Sequence, residues 1–413
     1  MKNEKKDGYH KTEIGWIPKD WDCRDLGSVC INGGKYGAAA TSIDYSPDLP
    51  RYIRITDITD DGRLSSIDIK SIKNEDAKGY LLEEGDFLFA RTGATVGKTY
   101  LHNKTGNFAF AGYLIRFVPN PEQLLGSYLS NFTQSEKYWS WVRSTIHTGA
   151  QPNINAQEYS GLYIPLPSIN EQGAIIQILS TWDRAIERVQ RLIEAKQRQK
   201  AKLVSQLLSG RMRFPGFQDE WKQVRLGTFL HPKFRKVVKP AGAYLRLGIR
   251  SHGKGTFTSV VDDPETIALT HLFQARKDDL IVNITFAWEG AIALVGPDGD
   301  GALVSHRFPT YVFDISKMLP EYFKHLMVTD RFFYELDLIS PGGAGRNRVM
   351  NKGDFLKITV TIPGIEEQKK IAGVLGGMDE QIALLKKYLE KLKEQKKGLM
   401  QKLLTGEIRV KVD

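Results

Sequence analysis

No run of about 18 consecutive apolar residues occurs in these 413 residues, so no membrane-spanning helix is expected. Met1 to Lys11 is polar and basic and lacks the apolar centre of a secretion signal. Only two cysteines are present, Cys23 and Cys30, neither with a Cys or His partner at metal spacing. They read as reduced thiols of a cytoplasmic protein, not as a disulfide framework or a zinc site. Catalytic signatures are scarce as well. The Asn-Pro-Pro-aromatic motif of an amino-group DNA methyltransferase is absent. The stretch from Gly93 to Gly97-Lys98-Thr99 resembles a phosphate-binding loop, but three residues separate its glycines where the cradle needs four. Asn103 to Gly106 then reads as a turn where a helix should follow. Gly342-Gly343-Ala344-Gly345 lacks a strand–turn–helix setting, Asp298 and Asp300 sit in a turn without a matched lysine, and the eight histidines are scattered. No catalytic residue and no metal ligand is assigned.

The most informative feature present is a repeat. The stretch Pro167–Arg213 falls, without a gap, on Pro363–Arg409, 196 positions later. Glu171, Gln172, Ile175, Leu179, Asp183, Ile186, Lys200, Leu207, Gly210 and Arg213 all meet their own residue type. A long ungapped match points to a helix, and fixed-period self-similarity points to a repeated architecture. Ile175, Leu179, Trp182, Ile186, Val189 and Ile193 step by four and three, as do Ile371, Leu375, Met378, Ile382, Leu385 and Leu389. That spacing is a coiled-coil seam. Ser168 and Glu171 fit a capping box, and Gly210 and Gly406 stand where a terminal glycine would stop each helix. Each rod of about 41 residues would measure roughly 60 Å. Ile175, Leu179, Ile186 and Lys200 of the first helix and Ile371, Leu375, Ile382 and Lys396 of the second should line the helix pairing, the two helices running antiparallel about a pseudo-twofold axis. Lys200 and Lys396 interrupt the seam, with Glu194 and Glu394 as candidate partners or with solvent around them.

The repeat extends upstream. Gly15-Trp16-Ile17-Pro18-Lys19-Asp20-Trp21 is answered by Pro215 to Trp221, and Gly85-Asp86-Phe87-Leu88 by Asp278-Asp279-Leu280-Ile281. The chain therefore reads as globular unit, long helix, globular unit, long helix. Expected boundaries are 1–165 (with 1–13 a lead-in), 166–213, 214–362 and 363–413. Each globular unit reads as α+β. Strands are expected at 51–58, 86–91, 109–118 and 161–166, and at 243–249, 279–285, 291–295, 309–313 and 357–362. One helix is expected in each unit, from about Pro121 to Val142 with Asn120 as its cap, and from about Leu319 to Leu336.

With 58 Lys and Arg against 48 Asp and Glu, the formal charge is +10, which favours a polyanionic partner. The charge gathers in loops. His231–Thr256 holds no acid and carries Lys233, Arg235, Lys236, Arg250, His252 and Lys254. Pro341–Gly353 offers Arg346, Asn347, Arg348, Asn351 and Lys352; Arg346 and Arg348 are the expected base readers there. In the first unit the acid-free run Phe87–Pro121 carries Arg91, Thr92, Lys98 and Arg116, with Lys35 upstream and Gln151 and Asn153 in the polar loop Thr148–Asn153. Arg, Lys, Asn and Gln are the side chains that reach base edges and phosphates. A scaffold held by its long helices and a fused enzyme acting alone remain alternatives from composition.

The residues Gly85-Asp86-Phe87-Leu88 with Arg91-Thr92-Gly93, Gln151-Pro152-Asn153-Ile154, and the twice-written Pro-x-x-x-Glu-Gln helix start make the chain resemble the specificity subunit of a type I restriction-modification enzyme. In the second unit Asn283-Ile284-Thr285 replaces the Arg-Thr-Gly run, which makes Asn283 a candidate, and Gly343–Asn347 replaces Gln-Pro-Asn. The resemblance implies two target recognition domains, each reading half of a split sequence in double-stranded DNA, and helices that fix the gap. It also implies docking of two methyltransferase subunits carrying S-adenosylmethionine and of motor-nuclease subunits using ATP and magnesium. This chain would carry no cofactor, would not touch a membrane, and could self-associate when expressed alone.

Overall fold

The structure is a computed structural model and describes residues 7–146, 151–342 and 348–411. The chain divides into two compact units, residues 1–190 with 387–413 and residues 191–386. The helices Ile169–Leu208 and Ile365–Leu404, 40 residues each, contribute one half to each unit.

In the first unit, strand Phe87–Ala90 is central to an antiparallel sheet ordered Lys35–Tyr36, Leu114–Phe117, Phe87–Ala90, Thr99–Leu101. All four residues of Phe87–Ala90 are buried, because the strand serves two cores. Side chains alternate across a strand. Phe87 and Phe89 enter a core with Tyr128, Leu129 and Tyr138, while Leu88 and Ala90 enter a second with Ile53, Tyr100 and Phe110. A second sheet is ordered Phe108–Phe110, Arg51–Ile53, Lys70–Ser71, Ile43–Asp44, its first pair parallel. The second unit repeats the division: Leu280 and Val282 face one core and Ile281 the other. Its hairpin Tyr244–Ile249 and Thr256–Val261 belongs to a five-stranded sheet; the strand Thr256–Val261 was not expected from the sequence, since turn glycines and threonines flank and dilute its apolar pattern.

The single helix expected in each unit is two. Gly126–Phe132 and Glu136–Thr145 are separated by a break at which Ser135 accepts the Tyr138 N–H and so caps the second helix. Pro320–Leu326 and Asp330–Leu338 break likewise, with Thr329 as cap. Asn120 holds only a turn, accepting from the Glu122 N–H. The free N-terminus of Gly126–Phe132 is instead met by the long helix: Gln172 Oε1 accepts the Leu125 N–H at 2.9 Å, and its Nε2 donates to the carbonyls of Gln123 and Pro167. Gln368 repeats this with Leu319, Lys317 and Pro363. Both glutamines are fully buried, so each fixes its globular unit to the first turn of the following helix.

Within the first unit, Glu171 meets Arg409 and Asp183 meets Lys396 at 2.7 Å. Partners descend in number as positions ascend, so the helix segments run antiparallel. Ile175 and Leu179 are fully buried there with Met400, Leu403 and Leu404; Ile186 is half-buried. Within the second unit, Glu367 meets Arg213 and Asp379 meets Lys200 at 2.5 Å, while Ile371 and Leu375 pack with Leu207 and Leu208, and Ile382 is buried. The seam lysines thus pair with Asp183 and Asp379, not with Glu194 or Glu394. Glu194 lies along its own helix at 3.8 Å from Arg198, and an antiparallel register brings in an acid remote in sequence. The capping box forms by half. Ser168 accepts the Glu171 N–H, but the Glu171 carboxylate accepts from Trp21 Nε1 and Arg409. Glu367 does the same with Trp221 and Arg213. Gly210 and Gly406, at φ +70° and +66°, end the helices as expected. No helix among the described residues is long and apolar enough to cross a membrane.

Candidate nucleic-acid interface

The end of strand Phe87–Ala90 builds the rim of the first unit. The Arg91 N–H donates to the Tyr113 carbonyl, the Ile154 N–H to the Arg91 carbonyl, and the Gly93 N–H to the Pro152 carbonyl. These bonds bring the Arg-Thr-Gly loop and the Gln-Pro-Asn loop together, as Thr92 opposite Asn153. The Arg91 guanidinium lies 4.8 Å over the Tyr36 ring, and its Nε reaches Asn153 Oδ1 at 3.4 Å. A guanidinium so stacked is pre-organised, and no carboxylate among the described residues pairs with it. Tyr36 is 39% and Tyr113 59% exposed beside it. Gly37 is required in this rim, since a Cβ would lie 2.3 Å from the Phe110 carbonyl oxygen. Gln151 is exposed at the lip, while Thr92 is buried and serves the turn. Lys35 is exposed, donating to the Gly79 carbonyl beside Tyr80.

The second unit has the same frame and another surface. The Ile284 N–H donates to the Arg307 carbonyl and the Met350 N–H to the Ile284 carbonyl. Ile284, not Asn283, therefore occupies the position of Arg91. Asn283 stands one residue earlier, accepts the Thr285 N–H, and lines a cleft of about 510 Å³ with Arg246, Phe257, Glu289 and Phe308. Arg250 stacks at 5.0 Å on Phe257, and the following loop is anchored by the His252 and Gly253 N–H groups on the carbonyls of Glu289 and Gly290. His252, at φ +60°, Lys254, Lys233 and Lys236 are exposed.

Four further candidates are engaged within their own units. Arg235 makes a two-pronged pair with Asp279 at 2.5 and 3.0 Å, and Asp279 is 2% exposed. Its carboxylate needs that charge, as Asp86 needs Arg116 in the first unit. Arg348 is bound by the Ser340 and Asp337 carbonyls and the Asp337 carboxylate, with its plane on Trp288. Asn351 caps the short helix Lys352–Phe355, as Asn155 caps Ala156–Ser160. Lys98 pairs with the exposed Asp60 at 2.7 Å. Thr148, Gly149, Ala150, Arg346 and Asn347 lie outside the described residues. Burial pushes the Cys30 thiol up to about 12, so no thiolate nucleophile stands there. Sequence reasoning missed Tyr36, Tyr113 and Arg307; only strand register marks the last two, one position beyond the paired strand end for Tyr113 and three for Arg307.

Comparison with known proteins fits this geometry. The sequence model of a family described as "Type I restriction modification DNA specificity domain" matches residues 18–197 and 219–394. A Methanocaldococcus jannaschii protein with the provisional name MjaX type I restriction enzyme specificity subunit is 27% identical over 98% of both chains. Among solved structures, one chain from work on complex assembly and conformational transition of the type I R-M system superposes with a TM-score of 0.59 at 17% identity, covering 95% of this chain and 99% of that one. The type I restriction-modification S subunit from M. genitalium gives 0.56 at 15% identity, covering 95% and 97%. At such identities these structures show a shared fold.

Proposed function

The chain belongs to the type I restriction-modification DNA specificity family, and on that premise we propose that each of its two domains reads one half of a bipartite, asymmetric target in double-stranded DNA. The observation that carries this reading is one frame with two different rims. Arg91 and Ile284 are held by the same pair of backbone bonds, yet present different chemistry. Exposed cations along the rims neutralise phosphates and set the register, and the pre-organised guanidinium of Arg91 reads a base edge. The paired helices set the gap between the half-sites and dock two methyltransferase subunits, which bring S-adenosylmethionine. Motor-nuclease subunits with ATP and magnesium join for restriction. This chain contributes recognition and no chemistry, works in the cytoplasm, and can self-associate when expressed without partners.

A mobility-shift assay of the purified complex on a library of duplexes tests this. One split sequence should be preferred, and log affinity should fall with log salt at about −0.9 per contacted phosphate. Binding without sequence preference would make the chain a scaffold and overturn the reading.

A further inference from the structure

The two rims can be matched bond for bond. In the first unit Arg91, which follows the strand Phe87–Ala90, sits between the Tyr113 carbonyl, which accepts its N–H, and the Ile154 N–H, which donates to its carbonyl. In the second unit Ile284 sits between the Arg307 carbonyl and the Met350 N–H. Arg307 therefore holds the register position of Tyr113, and both side chains are exposed. The second unit has lost a guanidinium at the Arg91 position and gained one in the turn before the neighbouring strand Thr310–Phe313. The Arg307 guanidinium donates to Thr285 Oγ1 at 3.2 Å, and Thr285 is the register counterpart of Thr92. Each rim thus carries a guanidinium beside the equivalent threonine, supplied from different segments of the frame.

The bonding of Arg307 separates it from two other arginines of its unit. Arg235 and Arg348 are held by carboxylates. Arg307 meets one neutral hydroxyl through one nitrogen, and no carboxylate among the described residues pairs with it. Its second terminal nitrogen makes no bond among the described residues. Lys352, exposed, donates to the carbonyl of the adjoining His306 at 3.2 Å and stands ready for a phosphate. A fixed cation beside a forked donor is the arrangement in which a phosphate contact positions and a base contact specifies.

We propose that Arg307 is a sequence-reading residue of the second domain, replacing there what Arg91 does in the first, and that its ligand is the acceptor edge of a guanine in the major groove. Arginine binds guanine O6 and N7 through two parallel bonds. The proposal rests on the reading of the chain as a DNA-recognition subunit.

The test uses the full chain with its methyltransferase subunits and a library of randomised duplexes. The unmutated complex is measured first; absence of any preferred sequence would overturn the DNA-recognition reading itself. Given a preferred sequence, Arg307→Ala should lower the preference for a single G·C pair in one half-site roughly tenfold or more. The other half-site should be unchanged, and Arg91→Ala should affect only that other half. Arg307→Lys, which keeps the charge and loses the fork, should relax the same position. A uniform affinity loss with unchanged preference, or no change from either variant, would overturn the assignment. Arg307 is exposed, so the unfolding midpoint of both variants should match the parent and exclude a folding defect.

Discussion

Arg235 decides between charge that holds the fold and charge that meets DNA. Its side chain is 24% exposed and the side chain of its partner Asp279 3%. Asp279 Oδ2 also accepts the Arg276 N–H. Removing one partner of a buried pair costs about 3–5 kcal/mol, because the remaining charge is left without compensation. The partial exposure of Arg235 reduces this to about 2–4 kcal/mol for Arg235→Ala. For a unit of this size such a loss lowers the unfolding midpoint by on the order of 10 °C. Scanning calorimetry of the full chain measures the shift. Arg235→Met placed on Asp279→Asn should cost less than half as much as on the parent, since the carboxylate that needed the charge is gone. An unchanged midpoint for Arg235→Ala, together with weakened DNA binding and a shallower salt slope, would refute the reasoning and return Arg235 to the interface.

Two further results are expected. Burial pushes His325 down to about 4, with Lys324 and Lys200 also lowering it and Asp379 opposing them. Its folded pKa lies below the ordinary 6.5, so the folded state binds fewer protons and its contribution is present above about pH 6.5 and lost as pH falls toward 4, by roughly 3 kcal/mol in all. His325→Asn, matching Asn131 of the first unit, should flatten the unfolding midpoint between pH 6.5 and 4.5; an unaltered pH profile would contradict this. Matched four-residue insertions after Lys200 and after Met378 keep Lys200 opposite Asp379 and Arg213 opposite Glu367. They add about one turn, roughly 6 Å, to both helices. At about 3.4 Å per base pair the preferred gap should grow by one or two base pairs with both half-sites unchanged; an unchanged gap in an active complex would show that the helices do not measure it.

The helices were legible because an apolar seam has a period, and the repeat doubled the signal. The seam's acids were not, since Asp183 finds Lys396 only through an antiparallel register that sequence spacing does not display. The helix breaks were hidden for a related reason: Ser135 and Thr329 look like solvated helix residues until their capping bonds are seen. At the rims, composition located the cations but could not separate them. Arg91 and Arg235 are equal in sequence, yet one rests on an aromatic ring and the other on a buried carboxylate. Asn351 was legible in principle, because its repeat partner Asn155 precedes the capping-box Glu158.

Modular recognition is the central claim, and a domain exchange tests it most directly. Residues 14–165 are replaced by the matching segment of a relative with a different target, and the methylated sequences are read genome-wide in a host that expresses the exchanged chain with its methyltransferase subunits. One half of the methylated target should change to the relative's half while the other half and the gap stay as in the parent. A target in which both halves change together, or in which neither does, would contradict the account.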